Sequence, residues 1–153
     1  MCIRDSLIPA ADKKLMKVLV KSFHASNLPV IIKENSIREF LSISELSIVT
    51  SGTASLESAV LGCSPIICYK TNFINYSIIS RMLKVDNIGL PNLLLGDRYF
   101  IELLQNDFNK QNIKNAIKET LLLKENSENI AESLKEMLKG RGYSDAAREL
   151  TLI

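Results

Sequence analysis

The sequence has no tryptophan, a single histidine, three cysteines, four prolines and six glycines in 153 residues. His24 lies on a lysine-rich stretch with no acid or cysteine beside it, so neither a Ser-His-Asp nor a Cys-His set is available. Cys2, Cys63 and Cys68 are odd in number and lack CxxC spacing, which removes a disulfide framework and a zinc site. No metal and no cofactor is expected, and the default setting is reducing and cytoplasmic. No apolar run approaches the roughly 18 residues a bilayer span needs. The start "MCIRDS" also lacks the charged-then-apolar order of a signal peptide, so the chain is expected to stay inside the cell. Nineteen basic against seventeen acidic side chains give a net charge of +2. That is too little to argue nucleic-acid binding.

What is present is a globular composition, 46% hydrophobic and 24% charged, long enough to bury roughly two thirds of its unfolded surface. Residues 10–26 carry Leu15, Val18, Leu19 and Phe23 on one stripe among lysines, an amphipathic helix. "LPVIIKE" reads as a strand, "SIREFL" as a brief helix with Ser36 as N-cap, and "LSIVT" as a second strand. A helix from Thr53 to Leu61 closes at Gly62, "PIICYK" is a further strand, and Phe73 to Lys84 returns to helical period. The upstream "SLIP" is the stump of another strand. Strands of nearly continuous apolar residues separated by helices predict an α/β fold, a Rossmann-like open parallel sheet with helices on both faces. Beyond "NIGLPNLLLGD", residues 97–106, 109–123 and 127–138 are expected to be consecutive helices, with a terminal one beginning near Ser144. The expected organisation is a Rossmann-like domain over 7–106 and C-terminal helices over 107–153 that pack on it or on a partner.

The stretch "IVTSGTASLESAVLG" carries the strongest chemical signal. A glycine turn between a buried strand and a helix start aims unpaired backbone N–H groups outward, where the helix dipole favours an anion. Gly52 stands alone and no Lys precedes the Ser/Thr, which excludes the Walker A and GxGxxG patterns. Glu57 is four residues after Thr53 and six after Ser51, so it does not complete a capping box. It lies one turn beyond Thr53, roughly 6 Å along the axis. That is about the reach from a nucleotide's diphosphate to its ribose hydroxyls, which a carboxylate accepts in pairs. The alternative is a solvated or ion-paired Glu.

Other candidates are weaker on their residues alone. Asn92, one polar residue among the leucines of "GLPNLLLG", suits a ligand amide or a turn-stabilising one. Glu102 and Gln105 read as i, i+3 on a helix and, by spacing, as solvated. Tyr69 and Lys70 end a strand at its C-terminal edge, where ligands of open α/β sheets gather. The run from Asn72 to Leu83 suits core packing or contact with a membrane surface.

Taken together and in order, "TSGTASLESAVLGCSPIICYK", an apolar helix, "GLPNLLLG" and "ELLQ" resemble the C-terminal half of the lipid-A-disaccharide synthase family, glycosyltransferases of the two-Rossmann GT-B type. The resemblance covers about Ile8 to Ala147. It implies transfer of 2,3-diacylglucosamine from UDP to 2,3-diacylglucosamine 1-phosphate, giving the lipid A disaccharide without a metal. It implies Ser51, Gly52 and Thr53 at the diphosphate, Glu57 at the ribose and Asn92 at the nucleotide, with Tyr69, Lys70, Glu102 and Gln105 near the substrate. Where the family commonly has Gly-Tyr-Arg, this chain has Cys68, Tyr69 and Lys70, so a bidentate phosphate contact becomes a point charge. The N-terminal domain with the acceptor site and general base is missing, as is the Gly-Ser-Arg loop. The implied partners are therefore that domain, the UDP-sugar donor, the acylated glucosamine acceptor and the cytoplasmic face of the inner membrane; a homo-oligomer is compatible and nucleic acid is not expected. Alone, the chain is expected to bind UDP weakly or not at all, without turnover. The competing readings are another GT-B enzyme using a UDP-N-acetylhexosamine, and a non-catalytic nucleotide-binding or assembly module.

Overall fold

The computed structural model describes residues 6–24, 28–50, 52–71, 87–123 and 127–139. The expected helices at Phe73 to Lys84 and from Ser144 lie outside them, as does Ser51. The chain divides into two compact units, Met1–Ser44 and Glu45–Ile153. Both are α/β and Rossmann-like in pattern, with every strand pair parallel.

In the first unit β1 (Ser6–Ala10) pairs with β2 (Val30–Glu34) through the crossover helix α1 (Lys13–Phe23), and α2 (Ile37–Ile43) follows. The "SLIP" stump is thus a full five-residue strand. α1 starts three residues later than the apolar stripe suggests, because the Asp12 carboxylate accepts from the Leu15 N–H at 2.7 Å and fixes the helix start. Ser36 stands at the N-cap position of α2, but its hydroxyl donates to the Lys33 carbonyl instead of accepting from the helix. Ala10, Phe40 and Leu41 are buried.

In the second unit the strand order is β3 (Leu46–Thr50), β4 (Ser64–Tyr69), β5 (Glu102–Leu104). Strand periodicity sends alternate β4 residues to opposite faces. Ile67 packs with Ala59 of α3 (Thr53–Val60), Phe100 and Leu134 of α6 (Ser127–Leu138). Ile66 and Cys68 pack with Leu103 and with Ala116 of α5 (Lys110–Leu122). α5 therefore packs on β4 and β3, whereas α6 packs on the other side against α3 and the short helix Leu90–Leu95. α3 approaches its sheet closely because the residues it turns inward, Ser55, Ser58 and Ala59, are small. The buried hydroxyls stay paired: Ser58 Oγ bonds Ser47 Oγ and the Cys63 carbonyl, each at 2.6 Å.

The expected helix over 97–106 is absent. Residues Glu102–Leu104 form β5, and Gln105–Asp107 form a 3₁₀ turn. The reason is tertiary: the Asn92 carbonyl oxygen captures the N–H groups of Tyr99 and Phe100, and the Asn92 amide captures the Phe100 carbonyl. A helix over these residues would need the Phe100 N–H and carbonyl for its own i to i−4 bonds. Gly89 is the N-cap of α4 (Leu90–Leu95), and Pro91 sits in its first turn.

Candidate functional site

The register of the second sheet decides which candidates meet. Thr50 of β3 lies opposite Cys68 of β4, and Tyr69 opposite Leu104 of β5. Two residues on from the first pair, the chain reaches Gly52 and Lys70; one residue on from the second, Lys70 and Gln105. With strands about 4.8 Å apart, the β3–α3 turn, Tyr69–Lys70 and Gln105 share the C-terminal edge of one parallel sheet. Open α/β sheets place ligands at that edge.

Gly52 has φ of 136°, a conformation that L side chains rarely adopt, and it forms the N-cap of α3 without any side-chain cap bond. The Ser55 N–H and the Ser55 hydroxyl both donate to the Gly52 carbonyl, at 3.1 and 2.7 Å. The helix therefore opens tightly at Thr53, which is exposed. The first-turn N–H groups point out of the helix end, where the dipole is equivalent to about half a positive charge. Glu57 is half-buried in the second turn, and no acid occupies the first turn of α3. Tyr69 is half-buried and Lys70 exposed. Burial pushes the thiols of Cys63 and Cys68 above the ordinary value of 9.0, at Cys63 against the lowering effect of the Ser58 and Ser47 hydroxyls. Both stay protonated and poorly nucleophilic.

Asn92 and Glu102 lie elsewhere. Asn92 is 0% exposed. Its amide donates to the Phe100 carbonyl at 2.9 Å and to Glu102 Oε1 at 2.8 Å, while its oxygen accepts from Tyr99 and Phe100. An Asn side chain has two donors and two lone pairs, so none is left for a ligand. Glu102 is 4% exposed. It accepts from the N–H groups of Ile88 at 2.8 Å and Gly89 at 3.0 Å besides Asn92. Spacing suggested a solvated residue, but the carboxylate is buried and receives three donors, which neutralise its desolvation cost. Gln105 Oε1 accepts from the Thr71 N–H at 3.1 Å. Its backbone is left-handed, φ 49°, so the i, i+3 helical pairing of Glu102 with Gln105 does not exist.

The sequence reading missed this network of Gly89, Asn92, Arg98 and Glu102, in which Arg98 also donates to the Glu102 carbonyl at 2.9 Å. The available signal was a lone polar residue in each of two apolar stretches, each the other's partner. Among the described residues no group of His, Cys, Asp and Glu could hold a metal ion. Among them, too, no helix is long and apolar enough to cross a membrane.

Comparison with known proteins adds the chemistry. The family model described as lipid-A-disaccharide synthetase matches residues 5–150. The chain belongs to the lipid-A-disaccharide synthetase family. It is 35% identical over 107 residues to the lipid-A-disaccharide synthase of Wigglesworthia glossinidia brevipalpis, a match covering 69% of this chain and 28% of that protein. With the synthase of a Sulfurihydrogenibium species it shares 35% identity over 137 residues, 87% of this chain and 34% of that protein. The synthase of Neisseria meningitidis is 36% identical over 105 residues, 66% and 27% of the two chains. The chain thus spans about a third of the length of its lipid-A-disaccharide synthase relatives, or less.

Proposed function

We propose that this chain forms the donor-nucleotide part of a glycosyltransferase of lipid A biosynthesis. The reaction transfers 2,3-diacylglucosamine from UDP to 2,3-diacylglucosamine 1-phosphate, releasing UDP and the disaccharide 1-phosphate. The observation that carries the reading is the β3–Gly52–α3 turn, set beside Tyr69 and Lys70 at one sheet edge, in a chain of this family.

Each residue then has a physical task. Gly52 and Thr53 present backbone N–H groups and the α3 dipole to the diphosphate, whose charge grows as the glycosidic bond to UDP breaks. Lys70 adds a point charge and Tyr69 a wall. Glu57, one turn along α3, accepts from the ribose hydroxyls. Deprotonating the acceptor hydroxyl requires a base, which this reading assigns to the part of the protein outside this chain. Both substrates are acylated, so the complete enzyme works peripherally at the cytoplasmic face of the inner membrane. The chain alone binds UDP weakly or not at all, and does not turn over.

Isothermal titration of the 153-residue chain with UDP, beside Glu57→Ala, tests this. Loss of a charged hydrogen-bonding partner should weaken binding about tenfold or more. Equal heats from the two proteins would remove Glu57 from the ribose.

A further inference from the structure

Two stretches of the second unit are held by β5 and the turn that follows it: Thr71, just past the end of β4, and Ile88–Gly89, which lead into α4. Gln105 accepts from the Thr71 N–H. Three residues earlier, Glu102 accepts from Ile88 and Gly89. We propose that Glu102, Asn92 and Gln105 are positioning residues. They form a clasp that fastens Thr71 and Ile88–Gly89 to β5, and so fixes the end of β4 where Tyr69 and Lys70 stand, without touching the nucleotide sugar. The last clause rests on the donor-site reading above; the clasp itself does not.

Three observations converge on this. First, the side-chain capacity of Asn92 is used up within the protein: two donors and two acceptors, all engaged in the interior. Second, Gly89 is where the clasp closes. A Cβ there would run into Ile67 Cδ1 and come within 3.0 Å of Glu102 Oε1, so glycine lets the backbone reach the carboxylate without displacing Ile67. Third, Gln105 holds a left-handed backbone unfavourable to an L residue. That backbone follows directly on β5, and the Gln105 side chain reaches Thr71. The polar spacing of "GLPN" and "ELLQ" is thereby explained by what the chain must do to itself, with Gly for approach, Asn as bridge, Glu as receiver and Gln as tie.

Amide hydrogen exchange read by NMR on the intact 153-residue chain tests the clasp. Glu102→Gln keeps one acceptor oxygen and turns its NH₂ either toward the Ile88 N–H or toward the Gly89 and Asn92 donors. Exchange at Ile88 or at Gly89, whichever faces the NH₂, should rise at least about tenfold, while Ile113, bonded to Asn109 at the start of α5, stays unchanged. Wild-type protection at Ile88 and Gly89 in that variant would overturn the clasp. If Glu102→Gln does not fold, the half-exposed Gln105 decides. Gln105→Glu keeps an acceptor and should keep Thr71 protected, whereas Gln105→Leu should release it; equal exchange in both would overturn the tie. On adding UDP, the backbone amides of Thr53 and Ala54 should shift and the side-chain amide of Asn92 should show no contact to the nucleotide. An intermolecular NOE from UDP to that amide would overturn the positioning role. If the chain alone does not bind UDP, the exchange results still decide the clasp.

Discussion

Thr53 and Lys70 stand exposed at the sheet edge, whereas Asn92 and Glu102, in the same unit, are almost wholly withdrawn from water. Both groupings are polar, and both were candidate ligand contacts by motif. They differ in bonding: the edge offers the open end of α3 and a cation, while the interior set satisfies itself atom by atom. Residues singled out together by one resemblance can therefore include both ones that stand open to a ligand and ones that hold the first kind in place. Burial and saturation of donors and acceptors separate the two.

The sharpest way to break that distinction is to remove the interior bridge. Asn92→Ala strands the Phe100 N–H and carbonyl in the interior, leaves the Tyr99 N–H only its 3.2 Å bond to the Asp97 carbonyl, and takes one donor from Glu102. The expected loss is about 3 kcal/mol or more, read by urea denaturation. A loss below about 0.5 kcal/mol would mean the bridge is dispensable and Asn92 is kept for another reason. Gly89→Ala is expected to cost less, about 1–3 kcal/mol, because the added methyl must displace the Ile67 side chain. An unchanged denaturation midpoint would show that the approach is looser than its geometry.

The same contrast explains what the sequence revealed. The β3–Gly52–α3 unit and β4 were legible because apolar runs bounded by glycine and small polar residues fold by local rules, and Gly62 closes α3 with φ of 79°. The helices α5 and α6 were legible from apolar period, and Asn109 caps α5 by accepting from the Asn112 N–H. β5 was not, since it is three residues long and becomes a strand only where Ile67 offers a register and Asn92 holds the amides before it. Glu102 and Asn92 are ten residues apart and carry no local signature of pairing. Their bond exists only after β4 and β5 are side by side. At the candidate site, sequence gave the residues of the turn and of the β4 end, and the strand register supplied their adjacency.

The smallest expected effect on stability falls at the exposed grouping, where the effect on binding should be the more visible one. Lys70→Arg replaces an exposed ammonium at the β4 end with a planar guanidinium that can hold a phosphate through two parallel hydrogen bonds. Because Lys70 is exposed, stability should change by less than about 0.5 kcal/mol. UDP affinity should tighten by about threefold to tenfold, since a bidentate charged contact replaces a single one. Titration with UDP and with uridine separates the cause. The gain must appear with UDP and vanish with uridine, which lacks phosphate. A gain of equal size with both would place Lys70 away from the diphosphate and dissolve the adjacency with Gly52 on which the site is built.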